Sequence, residues 1–313
     1  MKRCYINAAS SIHSEGMVSD SGILKAVVPD YTSIINSNAR RRMGHLVKMG
    51  VACALDCIEQ GGNKPMNAII TATGLGCLAD TEKFLKALIS DHEEAPPTPF
   101  IQSSFNTMGA QIALLTGNHG YNNTYVHRGL SFESALTDAG MRIREGDSRV
   151  LTGAADEVTE TSRILMERLG LSEGTILGEG AGFFILSSEK NNLTLAELLG
   201  VCTFTGLLPD EILHEKMNNF LKGNKIEFEE IGYFMTGRNG NPNHDACYEK
   251  AEQLFPRAHL FTFKDQCGEY PTASAFGLWK SLKILKEVRS NNGYLLLYNQ
   301  YNRVNHSLIL LKK

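Results

Sequence analysis

Apolar positions in this chain alternate between short continuous runs and helical stripes. "RCYINAASSI" (3–12), "NAIITATGLG" (67–76), "SRVLTGAADEVTE" (148–160) and "GAGFFILSSEK" (180–190) are apolar runs bounded by glycine or polar residues. That is the pattern of strands buried on both faces. Residues 38–61 carry apolar positions at helical spacing and end in a glycine pair, which predicts one long helix. Shorter helices are predicted for about 80–89 and for "NTMGAQIALLTGNHG" (106–120), the latter with a glycine C-cap. The acidic, proline-rich "SDHEEAPPTP" (90–99) reads as a loop. "NNTYVHRG" (122–129) predicts a strand running into a tight turn. The helix after it places Phe132, Ala135, Leu136, Ala139 and Ile143 on one face. Strand and helix alternate again from "LAELLGVCTFTG" (195–206) to two closing strands, "GYLLLYNQ" and "HSLILLKK". The alternation predicts an α/β fold of two similar halves, 1–190 and 191–313, in one compact unit. Its sheets are expected to be mostly parallel and covered by helices.

Composition narrows the function more than the fold. Hydrophobic residues make up 42% and charged residues 21%, and the formal net charge is −3. A nucleic-acid footprint needs a clustered basic surface. The one basic run, Arg40-Arg41-Arg42, reads instead as a solvated helix start. No apolar run approaches the roughly 18 residues of a membrane span, and the start lacks a signal-peptide core. A cytoplasmic protein is expected. The seven cysteines are odd in number and scattered, which suits free, mostly buried thiols. His244-Asp245 has no companion ligands at metal spacing, and Gly74-Leu75-Gly76 lacks the third glycine of a dinucleotide turn. No metal or cofactor is expected.

Six stretches, in order, resemble one family. "ATGLGCLADTEKFLKAL" (72–88), "PTPFIQSSFNTMGAQIALLTGNHGYNNT" (97–124), "REGDSRVLTGAADEVTE" (144–160) and "GEGAGFFILSSE" (178–189) are similar to scaffold motifs of the β-ketoacyl-ACP synthases. "TGRNGNPNHD" (236–245) and "FKDQCGEYPTASAFGLWKSL" (263–282) sit where that family carries its two histidine motifs. The resemblance implies a thiolase-like fold: two duplicated α/β halves in five layers, normally dimeric. It also implies decarboxylative Claisen condensation, with a cysteine at a buried helix N-terminus, two enolate-stabilising histidines and an ordering lysine.

Carried over residue by residue, that chemistry is largely missing. Counting back from Gly146-Asp147, the nucleophile's position falls on Gly129; the histidine positions fall on Gly237 and Glu269. Lys264 is kept, and Glu269 is expected to pair with it. The glycine-rich gating loop reads "QYNRVN" (300–305), of which only Asn305 matches. The alternative nucleophiles are Ser131 and Cys267. Ser131 reads better as a helix N-cap, and Cys267 as a buried thiol. His127 reads as a core or interface histidine.

The expected function is therefore that of a chain-length-factor-like subunit without the Cys-His-His site, paired with an active ketosynthase. The pair would be a heterodimer, or else a homodimer, that also meets an acyl carrier protein. His127, Arg128 and Phe132 are the expected partner or tunnel contacts. The alternatives are an active 3-oxoacyl-ACP synthase, acyltransferase or acyl hydrolase with a non-standard site, and a stand-alone acyl or carrier-protein binding module.

Overall fold

Ten strands join in one hydrogen-bonded sheet whose order mirrors itself about its middle. The computed structural model describes residues 2–16, 18–19, 22–90, 97–288 and 293–313. In chain order the first elements are β1 (Tyr5–Ile12), α1 (Ser37–Arg40), α2 (His45–Gln60), β2 (Ala68–Ala72), α3 (Leu78–Ser90), α4 (Pro97–Gln102), α5 (Thr107–Thr116) and β3 (Tyr121–Tyr125). A 3₁₀ turn at Arg128–Leu130 leads into α6 (Ser131–Glu145), followed by β4 (Arg149–Asp156), α7 (Glu160–Arg168) and β5 (Gly180–Ser187). The remainder is β6 (Ala196–Thr205), α8 (Asp210–Gly223), β7 (Ile231–Thr236), α9 (Pro242–Gln253), β8 (His259–Thr262), α10 (Lys264–Cys267), α11 (Ser274–Glu287), β9 (Tyr294–Tyr301) and β10 (Asn305–Lys312). The strand order is β3-β2-β4-β5-β1-β6-β10-β9-β7-β8. Each five-strand block thus repeats one arrangement, and the blocks meet through only two residue pairs, Tyr5↔Glu197 and Ile6↔Ala196.

Period-two alternation of side chains assigns each strand face to a different core. Ile70, Val150, Phe184 and Leu186 from the first block share the central core with Leu295, Leu297, Ile309 and Leu311 from the second. Helices α6 and α11 lie between these two faces. The opposite faces pack outward: Ile69, Leu151, Phe183 and Ile185 against α2 and α5, and Phe234, Leu296, Leu308 and Leu310 against α8 and α9. Five layers follow. The sandwiched helices explain why "SFESALTDAGMRIRE" carries so many small apolar residues. Phe132, Ala135, Leu136, Ala139 and Ile143 are all fully buried.

Four features depart from the sequence pattern. The helix expected over 38–61 is two helices, because the chain turns at residues 41–44 and α2 restarts at Gly44. A Cβ at Gly44 would stand 2.0 Å from the Asp80 carboxylate, so only glycine admits that approach. The proline-rich stretch is not all loop: α4 begins at Pro97, a residue suited to a helix's first turn, while residues 91–96 lie outside the described residues. The sheet is mixed rather than mostly parallel. β2/β3, β2/β4, β7/β8 and β7/β9 are parallel, whereas the five pairings through its centre are antiparallel. Residues buried on both faces look alike in either orientation, so the apolar runs did not distinguish them. Finally, Phe132 is not a surface or tunnel contact within this chain; it packs in the central core, 5.6 Å from Phe184.

Phe132→Ala should therefore cost about 3–5 kcal/mol in urea unfolding. His127→Ala, on the exposed turn just before it, should change stability by no more than about 0.5 kcal/mol. A reversed ranking would contradict this placement.

Candidate functional site

β3 runs parallel to β2 and ends at Tyr125, opposite Ala72. The chain then rises to α6 through a turn in which Arg128 adopts a left-handed backbone, φ 51°. That conformation is costly for a residue with a Cβ and needs support from its surroundings. Ser131 supplies it. Its hydroxyl accepts the His127 N–H at 2.8 Å and donates to the Arg128 carbonyl at 2.7 Å. The expected N-cap role is thus replaced: Leu130 occupies the cap position, and Ser131 staples the turn that precedes it. The Ser131 hydroxyl is buried, and both its donor and acceptor roles are taken. His127 is exposed rather than in the core. Ser134 donates its hydroxyl proton to the Leu130 carbonyl at 2.8 Å, so His127 Nδ1, 2.9 Å away, is the donor to Ser134 Oγ.

Gly129 sits at the crest of this turn, buried. A Cβ there would meet Tyr301 at 2.5 Å from Cδ1 and 2.6 Å from Cβ. The tyrosine is brought there by the β9–β10 connection. Asn302 and Arg303 both take positive φ, 50° and 61°, and the Val304 N–H bonds the Tyr301 carbonyl at 3.3 Å. Positive φ at both central residues is the signature of a type I′ hairpin turn. The segment "QYNRVN" is therefore a tight hairpin that packs a ring on Gly129. Asn305 begins β10, opposite Tyr301.

Gly237, just after β7, is enclosed in the same way. A Cβ would lie 2.6 Å from the Tyr248 hydroxyl, 2.8 Å from Asn299 Oδ1 and 3.1 Å from Lys264 Cε. The Tyr248 hydroxyl is itself engaged, accepting the Gln300 N–H at 2.7 Å. At Gly129 and at Gly237, then, neighbouring side chains fill the space that a side chain would need.

Lys264 and Glu269 do meet. The ammonium donates to both carboxylate oxygens at 2.8 Å and to the Gln300 carbonyl at 2.7 Å, with both side chains buried. From Glu269 a hydrogen-bond chain leads outward. Asn239 Nδ2 donates to Glu269 Oε2 at 2.8 Å and to His244 Nδ1 at 2.9 Å, while its Oδ1 accepts the Asn241 N–H at 3.0 Å. That last bond fixes the amide's orientation. His244 must then accept at Nδ1, which leaves its neutral form protonated on Nε2. Burial lowers the His244 pKa, opposed by Glu269 and reinforced by Lys264. Cys267 is fully buried, its Sγ 3.3 Å from the Gly268 carbonyl, and burial pushes its thiol pKa up.

Glu133 was not singled out in the sequence, where "LSFESAL" reads as an ordinary first helical turn. It is fully buried. One carboxylate oxygen accepts the Ser307 hydroxyl at 2.7 Å, and the other has no hydrogen-bond partner among the described residues. Burial raises its pKa, against the lowering effect of the Ser274 and Ser307 hydroxyls and Lys264. Tyr301, Tyr248, Asn239 and His244's place in the chain were likewise missed. The only signal for Tyr301 was its place in "QYNRVN", beside Gln300, Asn302 and Arg303, which stand where the family's gating loop carries glycine. Among the described residues no group of three or more His, Cys, Asp or Glu side chains is placed to hold a metal.

Comparison with known proteins accords with this geometry. Residues 24–167 match the sequence model described as beta-ketoacyl synthase, N-terminal domain. This stretch, a little under half of the chain, is similar to the N-terminal domain of the beta-ketoacyl synthases. Its fold is similar to that of the ishigamide ketosynthase/chain length factor, at TM-score 0.86 and 16% identity, covering 99% of each chain. It is also similar to a beta-ketoacyl synthase from Burkholderia phymatum STM815, at TM-score 0.81 and 14% identity over 100% of both chains. A third similar structure is a type II PKS acyl-carrier protein in complex with its ketosynthase bound to the hexaketide. There the TM-score is 0.79 at 15% identity, covering 100% of this chain and 99% of that one. No curated protein sequence matches significantly. At these identities the structural likeness establishes the thiolase-like fold. No helix among the described residues is long and apolar enough to cross a membrane.

Two outcomes follow. Gly129→Ala should destabilise the protein by about 1–3 kcal/mol through overpacking, and Tyr301→Ala in the same chain should reduce that penalty in a double-mutant cycle. Additive effects would mean that the two residues are not in contact. For Glu133, a folded pKa raised above the unfolded value means that stability is full below the unfolded pKa and falls as pH rises through the folded one. Glu133→Gln should remove that fall. It should stabilise the protein by about 1–3 kcal/mol at pH 8 and by little at pH 4, as read from urea midpoints at the two pH values.

Proposed function

We propose that this chain is a non-catalytic, chain-length-factor-like subunit that pairs with an active β-ketoacyl-ACP synthase in a type II system. The observation that carries the reading is the filled site. The nucleophile position is Gly129 beneath Tyr301, and one histidine position is Gly237 beneath Tyr248 and Asn299. The other histidine position holds Glu269, which is ion-paired with Lys264. An anion there opposes a developing enolate, and neither glycine carries a group able to hold an acyl chain.

The surface around the closed turn supports a partner. β3 ends the strand order, so one side of its backbone is unpaired among the described residues. His127 and Arg128 follow it and are exposed. Phe100, Ile101 and Phe105, each at least 50% exposed, add an apolar face with Leu85 and Leu88. In this reading β3 and that face meet the synthase subunit, and His127 and Arg128 project towards its site. The acyl carrier protein delivers the growing chain to the pair. One similar structure is named as a ketosynthase/chain length factor, and another as a carrier protein with its ketosynthase.

The test is co-expression with a complete type II ketosynthase encoded beside it. A stable heterodimer is expected, with condensation dependent on the partner's cysteine. The purified chain mixed with acyl-ACP should show no covalent adduct by mass spectrometry. An acyl adduct on Ser131 or Cys267 would sink the proposal, as would a failure of every neighbouring synthase to associate.

A further inference from the structure

A second feature lies at the end of the sheet opposite the Gly129 turn. The turn follows the end of β3, a level shared with the end of β1 through the pairs Ala72↔Tyr125, Ala72↔Ala154, Ala154↔Gly182 and Ser11↔Gly182. At the other end, the start of β1 meets the start of β6 and the end of β10: Tyr5 faces Glu197, and Glu197 faces Lys312. A cleft of about 780 Å³ opens there, reached also by Gln60 at the end of α2 and Lys286 near the end of α11.

Its charge is one-sided. Arg3, Lys190, Lys286, Lys312 and Lys313 line it against a single carboxylate, Glu197, which already faces Arg3 at 3.7 Å. No ion pair formed among the described residues uses any of the four lysines. Lys313 Nζ donates to the Val288 carbonyl, and Lys312 Nζ stands 5.4 Å from the centroid of the Tyr294 ring. The cleft therefore concentrates four net positive charges in a chain whose formal net charge is −3. Like charges gathered in a concavity repel one another and focus a positive field into it. A bound anion offsets both effects.

Shape and lining choose the class of anion. The site is concave and local, whereas a nucleic-acid duplex needs an extended basic stripe and a membrane a convex or flat one. Lysine ammoniums act as point charges suited to phosphate oxygens, and Asn192, Thr194 and Tyr5 add neutral polar groups. We propose that this cleft binds a small phosphorylated ligand bearing at least two phosphate groups, of the class of a nucleoside diphosphate. The proposal uses no residue of the Gly129 turn and stands apart from the partner reading.

Calorimetric titration of the full chain at low ionic strength tests it, with inorganic pyrophosphate, ADP and adenosine as probes. Pyrophosphate and ADP are expected to bind with Kd below about 1 mM, adenosine is not, and added salt should weaken both. The double variant Lys190→Glu/Lys286→Glu should weaken pyrophosphate at least about tenfold, with its circular dichroism and thermal midpoint unchanged. No heat with pyrophosphate overturns the proposal, and so does unaltered affinity in the folded double variant. Adenosine binding as tightly as ADP overturns the assignment to phosphate.

Discussion

The closed site hangs on one buried ammonium. Lys264 Nζ has no access to water and is held by the two Glu269 oxygens and the Gln300 carbonyl. A charge in that position must be paired, because leaving it alone costs several kcal/mol. Its three bonds fix α10, the segment after it and the end of β9. Fixing Gln300 fixes the next residue, Tyr301, and Tyr301 is what rests on Gly129. Through Glu269 the same centre holds Asn239, and through Asn239 it sets the tautomer of His244. The ion pair in the second half of the chain is thus mechanically continuous with the turn in the first.

The two glycines near this centre are closely packed. A void at Gly129 or Gly237 would be destabilising beside a packed core, and rings and amides from β9 and α9 take up that space. The electrostatic side is less complete. Glu133 keeps one carboxylate oxygen without a partner, and Asn299 Oδ1 also has none. Both lie around the Gly237 position: Asn299 directly, and Glu133 through Ser307, which pairs with Asn299 across β9 and β10. Unpartnered polar oxygens thus gather about a glycine that has no polar side chain to offer them.

Much of the scaffold was legible because burial on one or both faces leaves a period in the sequence. The α6 stripe survives residue for residue. Strand direction did not show, since runs such as "GAGFFILS" carry no directional mark. The break at residues 41–44 was hidden because it depends on a remote carboxylate, Asp80, rather than on a local helix breaker. Phe132 read as a partner or tunnel contact, with His127 and Arg128, because it is bulky and follows the turn, although it also opens the apolar stripe of α6. Beside the two glycines, the Lys264–Glu269 pairing was readable by position. What packs on the glycines was not, because Tyr301 lies far from Gly129 in sequence and depends on a hairpin turn, and Tyr248 reaches Gly237 from the middle of α9.

The same layering also explains why a chain with a closed site can still act at its edge. Packing of the five layers restrains the centre, where α6 and α11 are covered by both sheet faces. β3 is the end strand of the sheet among the described residues, and the turn that follows it is held by Ser131 from within while His127 and Arg128 remain exposed. The left-handed Arg128 is informative here. A non-glycine residue in that conformation costs of order 1 kcal/mol or more, and Ser131, with both its hydrogen bonds used, holds it in place. Close packing at Gly129 and definition at Arg128 are compatible because the first depends on the ring above the turn and the second on the hydroxyl within it.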